Sequence, residues 1–257
     1  SSDLFEPELE SKKRKALVKS LGSAVFQAKD DAERENLKRR ILPFTADNQS
    51  RQFVRIRFRG NCDKVYTLPR SSKDGHFRTS LVLHQDDLLP DEGSENCAGD
   101  AGAPVVSFEA INTGGRTFAG VTWLVPPTGI SIVSDIDDTV KITDYLDKKN
   151  FLKNTFLRDF RAVPGMASAY DELRRRPAGE AGGSDYSFHY VSASPYQLFE
   201  ELDRFFKDAG FPPAASFHLK RVRVKDRTLL KLFADPLEYK LNQIEPLMRR
   251  FPKRTFL

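Results

Sequence analysis

The chain lacks several features that would narrow its class at once. Its 257 residues include only two cysteines, Cys62 and Cys97, with no C-x-x-C pair or Cys/His cluster, so a zinc site is not expected. The two cysteines could form a disulfide, but we favour free thiols in a reducing cytosol. No apolar run reaches the ~18 residues of a membrane-spanning helix, and the N-terminus lacks the basic and apolar regions of a signal peptide.

What the chain does contain predicts a folded protein with a basic surface. Hydrophobic residues make up 39% of the chain and aromatic residues 11%, and the formal net charge is +5. The excess of basic residues is concentrated in 204–257. It is either an ordinary solvated surface or an attraction to phosphate esters, acidic lipid or nucleic acid. Because the basic stretches carry no nucleic-acid recognition motif, we expect no nucleic-acid partner.

Changes in sequence pattern divide the chain into three predicted parts. Residues 1–45 form a helical N-terminal segment, since apolar residues recur at spacings of three and four within 7–42. Residues 46–128 alternate apolar and polar side chains between turn signals, which predicts a small antiparallel β-domain, interpreted as a sandwich, with strand-like pieces that include 77–84. Residues 129–257 alternate strand-like and helical segments, which predicts an α/β domain with a parallel sheet.

The elements of the third part follow one another at short intervals. Residues 130–135 form a continuous apolar run typical of a buried parallel strand, and YSFHYVSAS gives a second strand. The segment Ser194-Pro195-Tyr196-Gln197 is interpreted as a capping box that opens a helix running to about Gly210. A third strand is expected near 216–219, with helical segments before it from Pro164 and after it around 228–233 and 237–250.

The strongest chemical signal is the segment SIVSDIDDTVKITDY, residues 131–145. Asp135, Asp137 and Asp138 follow directly after a buried strand, where α/β sheets place their ligand sites. Like charges this close require a cation or protons, and Mg²⁺ prefers carboxylate oxygens. In an extended stretch Asp135 and Asp137 share one face, so one carboxylate can attack phosphorus while the other handles the leaving-group proton. Thr139 can cap the turn or hydrogen-bond the nucleophile.

This D-x-D-x-T pattern resembles the first motif of the haloacid-dehalogenase superfamily of phosphohydrolases. The longer string DIDDTVKITD is similar to the first motif of lipin-type phosphatidate phosphatases. Together with YVSASPYQL, FHLKRV and LEYKLNQIEPLMRRFP, it resembles the fungal actin-patch-protein type of phosphatidate phosphatase over roughly 120–257. The resemblance implies a Rossmann-like (HAD-like) catalytic domain, a Mg²⁺ cofactor, and hydrolysis of phosphatidate to diacylglycerol and phosphate through an aspartyl-phosphate.

The resemblance also assigns roles to single residues of this chain. Asp135 is expected as the nucleophile and a Mg²⁺ ligand, and Asp137 as the general acid/base, with its backbone carbonyl on the metal. Ser192 is preferred over Ser194 as the hydroxyl that contacts the phosphoryl group, because Ser194 has a predicted capping role. Lys240, with Lys231 as the alternative, is expected to neutralise the phosphate. The expected substrate contacts are Thr139, Lys141 and Ser194.

Two further expectations concern the site's surroundings. Family members continue from the strand RTFL into a Gly-Asp loop, so a further acidic metal ligand is expected beyond Leu257, and the 257-residue chain alone is expected to be weakly active or inactive. Residues 141–163 are expected to form a cap. Its Phe151, Leu152, Phe156 and Leu157 either pack on the core or meet acyl chains, while Lys148, Lys149 and Lys153 meet lipid phosphates.

The predicted partners follow from the same resemblance. We expect peripheral association with an anionic phospholipid membrane, to which the basic stretch 218–225 could contribute. The resemblance further implies a cytoplasmic location at cortical actin patches, with endocytic proteins as partners. Two alternatives stay open: a phosphatase acting on a soluble or protein phosphoester, and a catalytically incomplete module that binds membrane or cytoskeleton.

Overall fold

The structure is a computed structural model, in which the chain forms two compact units. It describes residues 2–3, 5–10, 28–48, 50–58, 64–73, 75–84, 105–111, 117–176, 186–221 and 236–257. The first unit joins Ser1–Glu8 to Asp47–Val125, and the second joins Leu9–Ala46 to Pro126–Leu257. The three-part division expected from the sequence stays a prediction.

The first unit is built on a four-stranded antiparallel sheet. In chain order, the strands that the structure describes before Val125 are β1 (Ser2–Asp3), β2 (Phe5–Glu10), β3 (Ala46–Asn48), β4 (Arg55–Phe58), β5 (Val65–Thr67), β6 (His76–Phe77), β7 (Val105–Ile111) and β8 (Thr117–Trp123). The main sheet has the order β5-β4-β7-β8, and β1–β6 and β2–β3 form two-stranded ladders. Alternation along β4 buries Ile56 and Phe58 in this unit's own core. The strand predicted over 77–84 is wrong beyond Phe77, since residues 78–84 are not in strand conformation.

The second unit contains a parallel sheet whose strand order positions the site. Strands β9 (Thr128–Asp135), β10 (Tyr186–Pro195), β11 (Ala214–Lys220) and β12 (Lys253–Phe256) lie in the order β11-β10-β9-β12, and all neighbours are parallel. The chain therefore winds from β9 outward through β10 to β11 and then returns to the other side of β9. The reversal of winding beside β9 is a topological switch point, where α/β sheets open a crevice at the carboxyl ends of their strands.

The two faces of this sheet differ in chemistry. Ile132, Phe188, Tyr190 and Leu219 lie on one face and join the main hydrophobic core. The other face carries a polar group, in which Arg254 donates to the Ser131 hydroxyl and His189 contacts Ser131 and Ser216. Burial lowers the pKa of His189 to about 4, with smaller contributions from the charges of His218 and Arg254.

The helices of the second unit are α1 (Asp31–Thr45), α2 (Lys148–Phe156), α3 (Met166–Arg175), α4 (Phe199–Asp208) and α5 (Pro236–Arg250), with a 3-10 turn at Tyr196–Leu198 before α4. The helices predicted from Pro164, before Gly210 and over 237–250 are confirmed, as is the strand near 216–219. The helix predicted over 7–42 is wrong at its start, because Phe5–Glu10 pairs as a strand. Several predicted features lie outside the described residues, namely Cys62, Cys97, Lys231 and the helix expected at 228–233.

The capping box predicted at Ser194 is also wrong. Strand β10 continues through Pro195, and the cap of the following turn makes no side-chain hydrogen bond. The hydroxyl of Ser194 instead contacts the Asp137 carboxylate at 3.1 Å. A tertiary contact to a charged acceptor has replaced the local one that the four-residue pattern indicated.

Candidate active site

The candidate site lies where strands β9 and β10 end. Asp135 is the last residue of β9, and its register partner on β10 is Val191. Ser192 is therefore one residue beyond the level of Asp135 on the neighbouring strand. Parallel pairing brings the predicted first and second motifs together at one edge of the sheet.

Asp135 forms an ion pair with Lys240. One carboxylate oxygen, Oδ2, lies 2.8 Å from Lys240 Nζ, and the other, Oδ1, accepts the backbone N–H of Ile136 at 2.9 Å. The Asp135 and Lys240 side chains are 31% and 27% exposed, so both remain open to a ligand. Lys240 lies on helix α5, so the ion pair connects this helix to the first motif, about a hundred residues earlier in the chain.

Asp137 is surrounded by hydrogen-bond donors. Its Oδ2 accepts from the Ser192 hydroxyl at 2.6 Å and the Ser194 hydroxyl at 3.1 Å. Its Oδ1 accepts from the Thr143 hydroxyl at 3.1 Å and lies 3.2 Å from Lys141 Nζ. Both carboxylate oxygens of Asp137 are thus held in place by hydrogen-bond donors from β10 and from the loop after Asp137.

The same donors set the protonation of Asp137. Burial alone raises the pKa of this carboxyl, whose side chain is 15% exposed. The charge of Lys141 and the hydrogen bonds from Ser192, Lys141 and Ser194 outweigh burial and hold the pKa of Asp137 below its ordinary value. In the free protein Asp137 is therefore a carboxylate, the form that accepts a proton.

Asp138 serves the loop rather than the site. It adopts a left-handed backbone conformation with φ of 57°, which turns the chain after Asp137. Its carboxylate accepts the backbone N–H groups of Thr143 at 2.6 Å, Asp144 at 2.8 Å and Tyr145 at 2.7 Å. Through these three hydrogen bonds Asp138 fastens the loop that follows.

Two predicted substrate contacts occupy different environments. Lys141 is 1% exposed, in an ion pair with Asp137 and with its Nζ 4.8 Å from the centroid of the Phe160 ring. Thr139 is partly buried, and its backbone N–H donates to the Ile136 carbonyl at 3.4 Å. Their contact with a substrate stays a prediction. The structure brings together Asp135 with Lys240, and Asp137 with Lys141, Ser192 and Ser194.

The four apolar side chains of the expected cap pack in the core of the second unit. Phe151, Leu152, Phe156 and Leu157 are at most 6% exposed and belong to the main hydrophobic core, so the idea that they meet acyl chains is wrong. Lys148 and Lys149 are exposed on the first turn of α2. The apolar side of this short helix faces inward, as in most amphipathic helices of globular proteins.

Two contributions to the site were missed in the sequence. Thr143 is fully buried, and its hydroxyl donates to Asp137, yet nothing in the spacing of the D-x-D-x-T pattern singles it out. Ser134 Oγ donates to the Asp135 carbonyl at 2.7 Å and lies 2.8 Å from the Tyr170 hydroxyl, which anchors the strand end from helix α3. A serine and a tyrosine that meet only through folding leave no local signal.

The residues available for a divalent cation form a partial set. Within the described ranges, no three His, Cys, Asp or Glu side chains cluster as a metal site would require. The carboxylate of Asp135 is accessible, whereas the side chain of Asp137 already has four donors.

The helices that the structure describes include none long and apolar enough to cross a membrane.

The fold and site define an α/β domain with a carboxylate–lysine pair at the switch point of a parallel sheet. Residues 130–257 match the family described as "Phosphatidate phosphatase APP1, catalytic domain". This match confirms the resemblance to actin-patch-protein type phosphatidate phosphatases that was found in the sequence.

Two curated relatives match over parts of the chain. Phosphatidate phosphatase APP1 of Saccharomyces cerevisiae is 31% identical over 136 residues, which cover 52% of this chain and 21% of the yeast protein. An uncharacterized protein of Schizosaccharomyces pombe is 32% identical over 95 residues, which cover 36% of this chain and 14% of that protein. The chain thus spans about a fifth of the length of these relatives, or less.

Proposed function

We propose that this chain carries a Mg²⁺-dependent phosphatidate phosphatase, which hydrolyses phosphatidate to diacylglycerol and phosphate through an aspartyl-phosphate on Asp135. The observation that carries the proposal is the accessible Asp135–Lys240 pair at 2.8 Å, within the region that matches a phosphatidate phosphatase catalytic domain. A HAD-like identity of the fold is part of the proposal. The parallel strand order and the position of Asp135 at the switch point support it.

In the proposed reaction two carboxylates divide the chemistry. Asp137, which is ionised in the free protein, first takes the proton of the phosphomonoester monoanion. A carboxylate oxygen of Asp135 then attacks phosphorus, the bond between phosphorus and the glycerol oxygen breaks, and the leaving alkoxide takes that proton from Asp137. A water molecule then loses a proton to Asp137 and attacks phosphorus, which releases phosphate and frees Asp135. Lys240 balances the negative charge that gathers around Asp135 during both steps.

The roles of the surrounding residues follow from their contacts. Ser192 and Ser194 hold one oxygen of Asp137, while Thr143 and Lys141 hold the other. This arrangement leaves the Asp137 carboxylate little rotational freedom. The carboxylate is therefore oriented for proton transfer before substrate arrives. The lowered pKa of Asp137 keeps this carboxyl ionised before substrate arrives, so it must gain a proton before it acts as the acid in the first step.

The cofactor in this proposal is Mg²⁺. The carboxylate of Asp135 is the side chain that would hold it, with the backbone carbonyl of Asp137 as a second ligand. When bound, the cation would offset the charge of the phosphate group. Because the described residues supply only a partial set, a further acidic ligand beyond Leu257 remains a prediction.

Peripheral membrane binding is also proposed, with a specific loop as the contact. The loop after Asp138 exposes 40% of Tyr145 and 96% of Leu146, followed by the exposed Lys148 and Lys149. Asp138 and the helix cap Asp147 pin this loop through backbone hydrogen bonds. An apolar tip beside basic side chains suits an anionic bilayer that holds the substrate. Location at actin patches and endocytic partners stay expectations from the resemblance.

The experiment that tests the proposal measures Mg²⁺-dependent phosphate release from phosphatidate in mixed micelles and from a soluble phosphomonoester. It uses the 257-residue chain and a version extended beyond Leu257, each with Asp135→Asn, Lys240→Met and the matched surface variant Lys207→Met. We expect Asp135→Asn to lower release by at least about a thousandfold and Lys240→Met by about a hundredfold, while Lys207→Met has no effect.

The outcomes separate the alternative functions. Release from the soluble ester but not from phosphatidate would replace the lipid substrate with a soluble or protein phosphoester. If neither substrate is hydrolysed by either chain length, the site is a binding module and the proposed enzyme is wrong.

A further inference from the structure

Helix α1 lies outside residues 130–257, which match the catalytic-domain family, but it belongs to the same compact unit. Its Arg40 is 3% exposed, and Nη1 donates to the carbonyls of Thr155 at 3.1 Å and Arg158 at 2.7 Å. One turn earlier, the Asn36 amide donates to the Leu157 carbonyl at 2.9 Å and to Asp159 Oδ1 at 2.8 Å. Helix α1 therefore holds the segment that follows α2.

The opposite side of that segment holds the loop that carries Asp137. The backbone N–H of Ile142 donates to the Arg161 carbonyl at 2.8 Å, and that of Val163 donates to the Val140 carbonyl at 2.9 Å. Residues 157–163 thus lie between helix α1 and the catalytic loop. We call residues 157–163 the bridging segment.

One aromatic ring of the bridging segment contacts a cation from each neighbour. The Arg40 guanidinium lies 3.9 Å from the centroid of the Phe160 ring, and Lys141 Nζ lies 4.8 Å from the same centroid. Lys141 in turn pairs with Asp137 Oδ1. The contacts from Arg40 through Phe160 and Lys141 to Asp137 are therefore continuous.

We propose that Arg40 and Phe160 are positioning residues for the Lys141–Asp137 pair, so that helix α1 is a working part of the catalytic domain. This inference rests on the proposed function for its effect on turnover, but its effect on the loop itself does not. Arg40 fixes the bridging segment, and Phe160 fixes the direction from which Lys141 reaches Asp137. Loss of either contact loosens a carboxylate that must act in one geometry.

Arg39 provides a matched control on the same helix. It pairs with the same carboxylate as Arg40, since its Nε and Nη2 lie 2.6 and 2.9 Å from Glu201, while Arg40 Nε lies 3.2 Å from it. Among the hydrogen bonds that the structure describes, however, Arg39 makes none to residues 155–163. Replacing Arg39 therefore removes its ion pair with Glu201 and its hydrogen bond to Asn36 Oδ1 at 2.8 Å, but it leaves the direct hydrogen bonds from Arg40 and Asn36 to the bridging segment in place.

The test combines amide hydrogen exchange with kinetics in Arg40→Met, Arg39→Met and Phe160→Leu. We expect Arg40→Met and Phe160→Leu to accelerate exchange of the Ile142 and Val163 amides by about tenfold, relative to amides in the centre of β10. We expect kcat to fall about five- to tenfold with KM within twofold, and Arg39→Met to change neither quantity. Arg40→Lys, which keeps a charge over the ring, should recover part of kcat.

Equal effects of Arg39→Met and Arg40→Met, or faster exchange spread evenly over the unit, would reduce Arg40 to a general stabilising residue. If Arg40→Met does not fold, the comparison of Phe160→Leu with the parent decides the question by the same two measurements. If no variant or parent hydrolyses a phosphoester, the proposed function fails, and the exchange data alone decide whether helix α1 holds the loop.

Discussion

Replacement of Arg254 should lower the free energy of unfolding of the second unit by several kcal/mol. The guanidinium is 6% exposed and donates five hydrogen bonds. Three go to the carbonyls of Pro126, Thr128 and Ile130, and two go to the hydroxyls of Ser131 and Ser187. Arg254 thereby fastens strand β12 to the beginning of β9, the strand that ends at Asp135.

The expected cost follows from these contacts. In Arg254→Met the buried charge is removed together with its donors, so the loss comes from acceptors left without a partner. The three carbonyls are only partly buried, so each acceptor left without a partner costs toward the lower end of ~1–3 kcal/mol, and the two hydroxyls can turn to other partners. We therefore expect a loss of about 3–5 kcal/mol in the free energy of unfolding. Arg254→Lys keeps three donors and should lose roughly half as much.

Urea unfolding of the whole chain measures this loss. With a slope of ~2–3 kcal/mol per molar urea, a loss of this size moves the midpoint of the second unit's transition by more than ~1 M. The control is Lys253→Met, on the same strand but exposed, which should stay within ~0.5 kcal/mol of the parent. If Arg254→Met and Lys253→Met differ by less than ~1 kcal/mol, the proposed clamp does not stabilise the sheet.

Two further predictions concern acid stability and membrane binding. Because the pKa of His189 is lowered from 6.5 to about 4, its contribution to stability is complete above pH 6.5 and is lost progressively as the pH falls from 6.5 to 4. His189→Gln should therefore flatten the pH dependence of unfolding by ~2–3 kcal/mol over this interval, and parallel curves would contradict the assignment. Leu146→Ser should weaken binding to anionic vesicles about tenfold without changing hydrolysis of a soluble ester. Val82→Ser, at an exposed valine of the other unit, should change neither quantity. Equal vesicle binding by the two variants would exclude the loop as the membrane contact.

The sequence predicts the parallel sheet and much of its edge because these depend on local pattern. A continuous apolar run ending in Asp135 and a second one ending near Ser192 are enough to place both residues at the carboxyl ends of parallel strands. Lys240 could be assigned through the family resemblance, although its distance from Asp135 could not. The ion pair of 2.8 Å depends on how α5 packs against the sheet.

The errors arise where tertiary contacts replace local ones. Ser194 has the sequence of a helix cap, but strand β10 continues through it to Pro195, and its hydroxyl donates to the carboxylate of Asp137. Phe151 and Phe156 could have faced lipid, yet the interior of the second unit buries them. Arg40 carries no motif, and its importance depends on Phe160 and Glu201, which are separated from it by more than a hundred residues.

The most direct test of the central claim is chemical trapping of the phosphorylated enzyme. The 257-residue chain and the version extended beyond Leu257 are each mixed with phosphatidate and Mg²⁺, quenched in acid within one turnover and treated with borohydride, which reduces an aspartyl-phosphate to homoserine. Peptide mass spectrometry should then find homoserine at position 135, and Asp135→Asn should yield none. Homoserine at position 137, or phosphate release by the parent with no reduced residue at 135, would contradict Asp135 as the nucleophile.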